Sequence, residues 1–240
     1  MTEGAGQDFA AQRFTTPAAR LERFTEAVLE QVPRDRAVRV LDLGCGTGEQ
    51  LFHLLAALPF ATGVGVDLSA GSVEAAERAR STRPEGRRAS FVARDYLALE
   101  EKPFDAIATY STLYVVEGPD AALAAKLARD LVPGGVLVNC MPERSLSNTL
   151  VVLARRFFRI LRGRVFEAVA LFLARRLHPE LTAELLRERL FYLYVIPVRY
   201  EGKAFQRALA AAGLSVVVER SEPRASLGQL RHRLVVYRKK

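Results

Sequence analysis

An α/β fold organised on a doubly wound, mostly parallel sheet is predicted by three features of this 240-residue chain. Short apolar runs alternate with helical segments from residue 38 to residue 140. The first run passes through alternating glycines, Gly44, Gly46 and Gly48, directly into a helical pattern. Carboxylates, Asp67 and Asp95, then stand at the ends of the next two runs. Right-handed crossovers bring such strand ends to one edge of the sheet, where ligands of this architecture bind.

The elements follow in order. Residues 1–12 carry no periodicity and are expected to form a flexible tail. Thr16-Pro17 reads as a helix cap followed by proline at the first helical position. Leu21, Phe24, Val28 and Leu29 continue at helical spacing until Pro33. Val38 to Leu43 is the first strand, and Gln50 to Leu58 the helix after the glycines. Ala61 to Asp67 is the second strand, Ser72 to Arg80 a polar helix, and Ala89 to Ala93 the third strand. Phe104 to Thr109 is the fourth, followed by a loop holding Tyr110, Tyr114 and Glu117. Asp120 to Leu131 is helical, Pro133-Gly134-Gly135 reads as a turn, and Val136 to Cys140 is the fifth strand. The rhythm then breaks for about sixty residues of helical character. Helix 201–212, stopped by Gly213, and strands 214–219 and 230–237 close the chain, an ending that suits one antiparallel strand at the sheet edge. The chain therefore reads as one domain over 1–240, with 142–200 as a helical cap insertion.

Composition narrows the function classes. The longest apolar run, Ala168 to Ala174, is far shorter than the roughly 20 residues of a membrane span. The N-terminus lacks the basic start and apolar stretch of a secretory signal, so a cytoplasmic location is expected. Cys45 and Cys140 suggest neither a disulfide nor a metal site, and no metal is expected. The net charge of +8 is uneven: residues 141–200 hold eleven arginines and five glutamates, a net of +6.

The glycine pattern is GxGxG, because Glu49 stands where a GxGxxG fingerprint needs its third glycine, which disfavours a nicotinamide or flavin dinucleotide. No Gly-Lys-Ser/Thr follows, so a P-loop is excluded. Asp67 lies nineteen residues beyond Gly48, close to the ~20 expected for an acid that holds ribose hydroxyls.

Taken together, Leu41-Asp-Leu-Gly-Cys-Gly-Thr-Gly48, Val64-Gly-Val-Asp-Leu-Ser69, Phe91-Val-Ala-Arg-Asp95, Phe104 to Tyr110 and Leu131 to Leu137 resemble, in order and spacing, the five motifs of the class I S-adenosylmethionine (SAM)-dependent methyltransferases. The resemblance implies a Rossmann-like seven-stranded sheet with one antiparallel strand, and SAM as cofactor. It implies that Gly44, Cys45, Gly46, Thr47 and Gly48 let the backbone approach the methionine part, with Asp42 holding its ammonium. Asp67 would accept from both ribose hydroxyls. Asp95 would accept from the adenine amino group, Leu68 and Tyr96 would pack on the ring, and Tyr110 would lie near the sulfonium.

Methyl transfer from a sulfonium is an in-line displacement in which positioning alone supplies on the order of 7–11 kcal/mol. A base is needed only when the acceptor must lose a proton. Tyr114, Glu117 and His178 are the sequence's candidates, whereas His53 and His232 read as packed residues. The fourth strand is followed by Tyr110-Ser-Thr-Leu rather than the Asn-Pro-Pro-Tyr of DNA-base methylating enzymes, which points to small molecules.

The cap's first segment, Leu150 to Arg162, is amphipathic. Leu150, Ala154, Phe157, Phe158 and Leu161 are expected on a face that packs inward, and Arg155, Arg156, Arg159 and Arg162 on the other. A cover over the acceptor pocket, peripheral contact with an anionic membrane through 150–177, and nucleic-acid binding are the three readings, the last disfavoured because the basic residues alternate with an apolar face. The expected activity is methylation, preferably at oxygen, of a small hydrophobic substrate, with no nucleic-acid partner. The alternatives are a SAM-binding protein that does not methylate or that uses SAM otherwise, and a membrane-surface methyltransferase of lipids or quinone precursors.

Overall fold

The computed structural model describes residues 18–179, 181–191, 194–223 and 229–240. The tail at 1–12 and the Thr16-Pro17 cap expected from the sequence lie outside the described residues. Helix α1 (Ala18–Leu29) precedes strand β1 (Arg39–Leu43), and α2 (Glu49–Ala57) follows the glycine turn. Strand β2 (Thr62–Asp67), α3 (Ala70–Arg80), β3 (Ala89–Ala93), β4 (Phe104–Tyr110), α4 (Asp120–Arg129) and β5 (Leu131–Pro142) continue the alternation. The cap holds α5 (Leu146–Ile160), α6 (Arg164–Leu177) and α7 (Ala183–Phe191). Helix α8 (Lys203–Ala211) and strands β6 (Leu214–Ser221) and β7 (His232–Lys239) end the chain.

The seven strands lie in the order β3-β2-β1-β4-β5-β7-β6. Strands β1 to β5 pair in parallel, and β7 runs antiparallel between β5 and β6, so the sheet has the expected single reversed strand. Successive residues of each strand bury on opposite faces. Val40 and Val138 pack with Phe24, Val28, Leu51 and Leu55 from α1 and α2. Leu41, Ile107 and Leu137 pack with Leu123 and Leu127 of α4 and Phe205 and Leu209 of α8. Each fully buried side chain of this kind stabilises the fold by about 1.5–3 kcal/mol.

Two expectations are corrected. Strand β5 begins at Leu131, not Val136, and Pro133-Gly134-Gly135 is looped out within it. The register against β4 slips there between Phe104 and Ala106, and Gly134 takes φ 76°. A bulge absorbs extra residues without ending the strand, which a turn signal alone does not reveal. The second correction concerns α5. Its buried residues are Asn148, Val152 and Arg155, so an arginine faces the body and the apolar stripe faces outward. The cause is polar: the Asn148 amide donates to the carbonyls of Glu143 (2.7 Å) and Arg231 (2.9 Å), and Arg155 Nη1 donates to the Val195 carbonyl (2.9 Å).

Candidate functional site

The C-terminal ends of β1, β2, β3 and β4 collect the residues singled out by the sequence. Between β1 and α2, Gly44, Gly46 and Gly48 all adopt left-handed backbone (φ 79°, 52° and 83°). At Gly44 a Cβ would also stand 1.9 Å from Thr112 Oγ1, so no side chain fits. Four of the loop's donors are already engaged: Gly44 and Cys45 N–H bond the Val66 carbonyl, Gly48 N–H the Cys45 carbonyl, and Gly46 N–H the Asp67 carboxylate. This differs from a phosphate cradle, which works by turning such N–H groups toward the ligand. The Cys45 thiol is buried, and its burial beside Asp42 and Asp67 pushes its pKa well up, which leaves it inert as a nucleophile.

Two carboxylates dominate the electrostatics. Asp67 ends β2; its Oδ2 accepts from Gly46 N–H (2.9 Å) and its Oδ1 from Ser69 N–H (2.8 Å). Burial raises its pKa against those backbone bonds. Asp42, on β1, is buried, and its Oδ1 accepts from the Gln50 amide at 2.8 Å. Its Oδ2 is buried with no hydrogen-bond partner. Burial first, and the charge of Asp67 second, push the Asp42 pKa up to about 8. An unsatisfied buried oxygen of this kind costs about 1–3 kcal/mol or more, and a cation beside it reverses that cost. The unpartnered Asp42 oxygen suits a positively charged group.

Asp95 sits at the end of β3, exposed, and its Oδ1 accepts from Leu97 N–H at 2.9 Å. Leu68, after Asp67, exposes its side chain, and so does Leu97. Tyr96, expected on the ligand, is turned the other way. Its ring is buried against Leu99, Phe104 and Leu127, with Lys126 Nζ 4.7 Å above the centroid. Asp95 caps a short 3-10 turn over 96–98, which rotates residue 96 into the core and presents Leu97 in its place.

At the end of β4, Tyr110 packs edge-on against Phe24, with ring centroids 5.3 Å apart. Its other aromatic neighbour is His232, whose ring lies parallel to it within 3° at 6.1 Å. Ser111 is the non-glycine residue with positive φ (55°) among those described, a strained conformation that aims its side chain. Ser111 Oγ lies 2.9 Å from His232 Nε2, and His232 Nδ1 lies 2.9 Å from the Leu230 carbonyl. Only an N–H can bond that carbonyl, so Nδ1 carries a proton, and in the neutral ring Nε2 accepts from the serine hydroxyl. This hydroxyl–imidazole–carbonyl chain has the geometry of a general base. No local pattern announces it, because His232 reaches the edge only through the antiparallel insertion of β7 beside the end of β5, where it pairs with Pro142.

The three catalytic candidates do not join this group. Tyr114 is buried, and burial pushes its phenol up to about 12, too high for a base at neutral pH. Glu117 is exposed on the loop after β4. His178 ends α6 on an exposed turn. The same loop does, however, have a fastener that the sequence did not single out. Buried Arg199 bonds the carbonyls of Leu113 (3.0 Å), Val116 (2.6 Å) and Gly118 (2.7 Å), and its Nε bonds Asp120 at 2.9 Å. Val198 N–H adds a bond to the Tyr114 carbonyl at 2.9 Å. The segment returning from the cap therefore pins the loop beside Ser111.

Residues 40–135 match the family model described as a methyltransferase domain. The trans-aconitate 2-methyltransferase of Methylobacterium nodulans is 35% identical over 135 residues, 56% of this chain and 47% of that protein. The matches to curated relatives span only 24% to 50% of those relatives' lengths. Among solved structures, the N-methyltransferase NodS of Bradyrhizobium japonicum WM9, in complex with S-adenosyl-L-homocysteine, superposes with TM-score 0.61 at 15% identity, covering 98% of this chain and 96% of that one. The magnesium protoporphyrin IX methyltransferase of Synechocystis PCC 6803 does so with TM-score 0.59 at 14% identity, covering 98% and 93%.

Proposed function

We propose that this chain, whose residues 40–135 match a methyltransferase domain, is a class I SAM-dependent methyltransferase that binds SAM at the glycine edge and methylates a hydroxyl of a small, lipophilic metabolite. The observation that carries the donor half is the pairing of engaged loop N–H groups with the unsatisfied Asp42 oxygen. SAM fits that site: its ammonium and sulfonium are cationic, and it brings no phosphate. Asp42 would hold the ammonium, Asp67 would accept from the ribose hydroxyls, and Asp95 with Leu68 and Leu97 would receive the adenine. Tyr110 lies toward the sulfonium side. What SAM supplies when bound is an electrophilic methyl group.

The acceptor half rests on His232. Its Nε2, in the neutral ring, would take the proton of an acceptor hydroxyl, either in place of Ser111 or through it, when that oxygen gains the methyl group and the donor's sulfur–methyl bond breaks to leave S-adenosylhomocysteine. The Leu230 carbonyl holds the imidazole in the required tautomer and receives the stronger hydrogen bond as the ring charges. Arg199 keeps the loop after β4 in place while this happens. A lipophilic acceptor is supported by the cap residues buried toward the body, Val152, Phe191 and Val195. The test pairs calorimetry with SAM and an extract of lipophilic metabolites screened by mass spectrometry for a SAM-dependent gain of one methyl. SAM binding together with a methylated, hydroxyl-bearing product is the expected result. Tight SAM binding with no methylated product in any extract would instead support a cofactor-binding protein without transferase activity.

A further inference from the structure

Helix α5 meets the body through Asn148, Val152 and Arg155, spaced by four and three residues along one face. The opposite face repeats the same spacing with large apolar side chains left in water. Leu146 is 87% exposed, Leu150 68% and Ile160 82%, with Leu153 and Phe157 between them. Helix α6, joined to α5 through Gly163, does the same: Val165 is 79% exposed and Leu177 75%, with Val169, Phe172 and Leu173 between. A continuous apolar stripe on two consecutive helices exceeds what a water-facing surface ordinarily carries, and marks an interaction site. The expected burial of this face against the sheet does not occur, so its apolar character requires another explanation.

The charges say what covers it. Residues 146–177 hold seven arginines and a single acid, Glu167. Arg156 and Arg159 are exposed along α5, and Arg175 and Arg176 are exposed at the end of α6. Glu167 bonds Arg162 at 3.4 Å, so it offsets a charge at the turn between the helices and not the others. Long arginine side chains beside an apolar stripe reach the phosphate level of a bilayer while the stripe enters the acyl region. A second copy of the chain fits poorly, because a two-fold contact through these helices sets arginine rows against each other. Helices of 15 and 14 residues are about 22 and 21 Å long at 1.5 Å per residue, shorter than the ~30 Å hydrocarbon core. Among the described residues no helix is long and apolar enough to cross a membrane. The pair lies on a surface and does not span it.

We propose that α5 and α6 form a docking surface for an anionic lipid bilayer, with the apolar stripe in the interface and the arginines on the headgroups. This does not depend on the reaction catalysed. The test is co-sedimentation of the full chain with vesicles of phosphatidylcholine alone and of phosphatidylcholine with phosphatidylglycerol, at low and high salt. Binding to the anionic vesicles that weakens with salt is expected. The double variant Phe157→Ser/Phe172→Ser should lower vesicle affinity at least tenfold, and so should Arg159→Glu/Arg175→Glu. These side chains are exposed, so unfolding temperature and calorimetric SAM binding should stay at the parent values in both variants. No sedimentation with either vesicle overturns the proposal. So does sedimentation that neither variant changes, or a dimer in sedimentation velocity that Phe157→Ser/Phe172→Ser dissolves.

Discussion

Two pairs of carboxylates, buried except for the half-buried Asp67, lie at the same edge of the sheet, and they are treated in opposite ways. Glu143 and Glu201, joined by a bridge between their backbones, are fully provided for. Glu143 accepts from Arg231 at 3.0 Å and from Arg233 at 2.8 Å. Glu201 accepts from Asn139 (2.8 Å), Tyr237 (2.6 Å) and Gln206 (3.3 Å). Asp42 and Asp67, by contrast, raise each other's energy, and Asp42 keeps an oxygen with no partner. Satisfied buried acids fasten structure; unsatisfied ones mark where a ligand contributes the missing group. The first pair ties the cap return to β5 and β7. The second pair lies where we propose that the methyl donor binds.

His232 stands between the two, since its neighbours Arg231 and Arg233 hold Glu143 while its ring serves Ser111. Its replacement should have the largest effect. His232→Gln is expected to lower kcat by about 10²–10⁴ with SAM affinity unchanged. A kcat within threefold of the parent would remove the imidazole from the reaction and move the base elsewhere. Next is Glu201→Ala, which leaves the Tyr237 hydroxyl and the Asn139 amide unpaired in the core. Urea unfolding should show a loss of about 2–4 kcal/mol, while calorimetric SAM binding by the folded protein stays at the parent value. A stability within error of the parent would show that the satisfied pair does not fasten the cap return.

The contrast with the donor pair is sharpened by Asp67→Ala, expected to weaken SAM binding about tenfold or more, about 1.4 kcal/mol, without lowering the unfolding temperature. If affinity is unchanged, Asp67 does not hold the ribose. The smallest effect is electrostatic. The Asp42 pKa is raised from 3.8 to about 8 on folding, so the protonated form is the one the folded state favours. Its contribution is intact below about pH 4 and is lost as pH rises toward about 8. The ligand-free protein should therefore lose unfolding temperature across that window, and Asp42→Asn should flatten the loss. A bound ammonium favours the ionised carboxylate, so SAM binding at neutral pH should release protons, read as a binding enthalpy that changes with buffer. Buffer-independent enthalpy would place the ammonium away from Asp42.

The gathering of Asp42, the glycine loop and Asp67 at one sheet edge was legible because its signals are local. Glycines that need left-handed φ, an acid at a strand end, and apolar runs of strand length each declare themselves within a few residues. What escaped was decided across the chain. Tyr96 turns inward because Asp95 caps a tight turn and Lys126 waits above the ring. Helix α5 shows its apolar face to water because Asn148 and Arg155 find carbonyls at Glu143, Arg231 and Val195. Amphipathic spacing gives two faces, and only the partners decide which one is buried. His232 looked like an ordinary strand residue until β7 was placed antiparallel beside β5.

The distance along the chain between Ser111 and His232, 121 residues, sets an order of assembly. Residues 39–110 form the proposed donor pocket from neighbouring strands and their crossovers, whereas the proposed base, His232, arrives with the final strand. Contacts between near neighbours in sequence form before those that close long loops. A refolding chain should therefore recover SAM binding before it recovers turnover, and the lag between the two measures how long the last strand takes to find its slot.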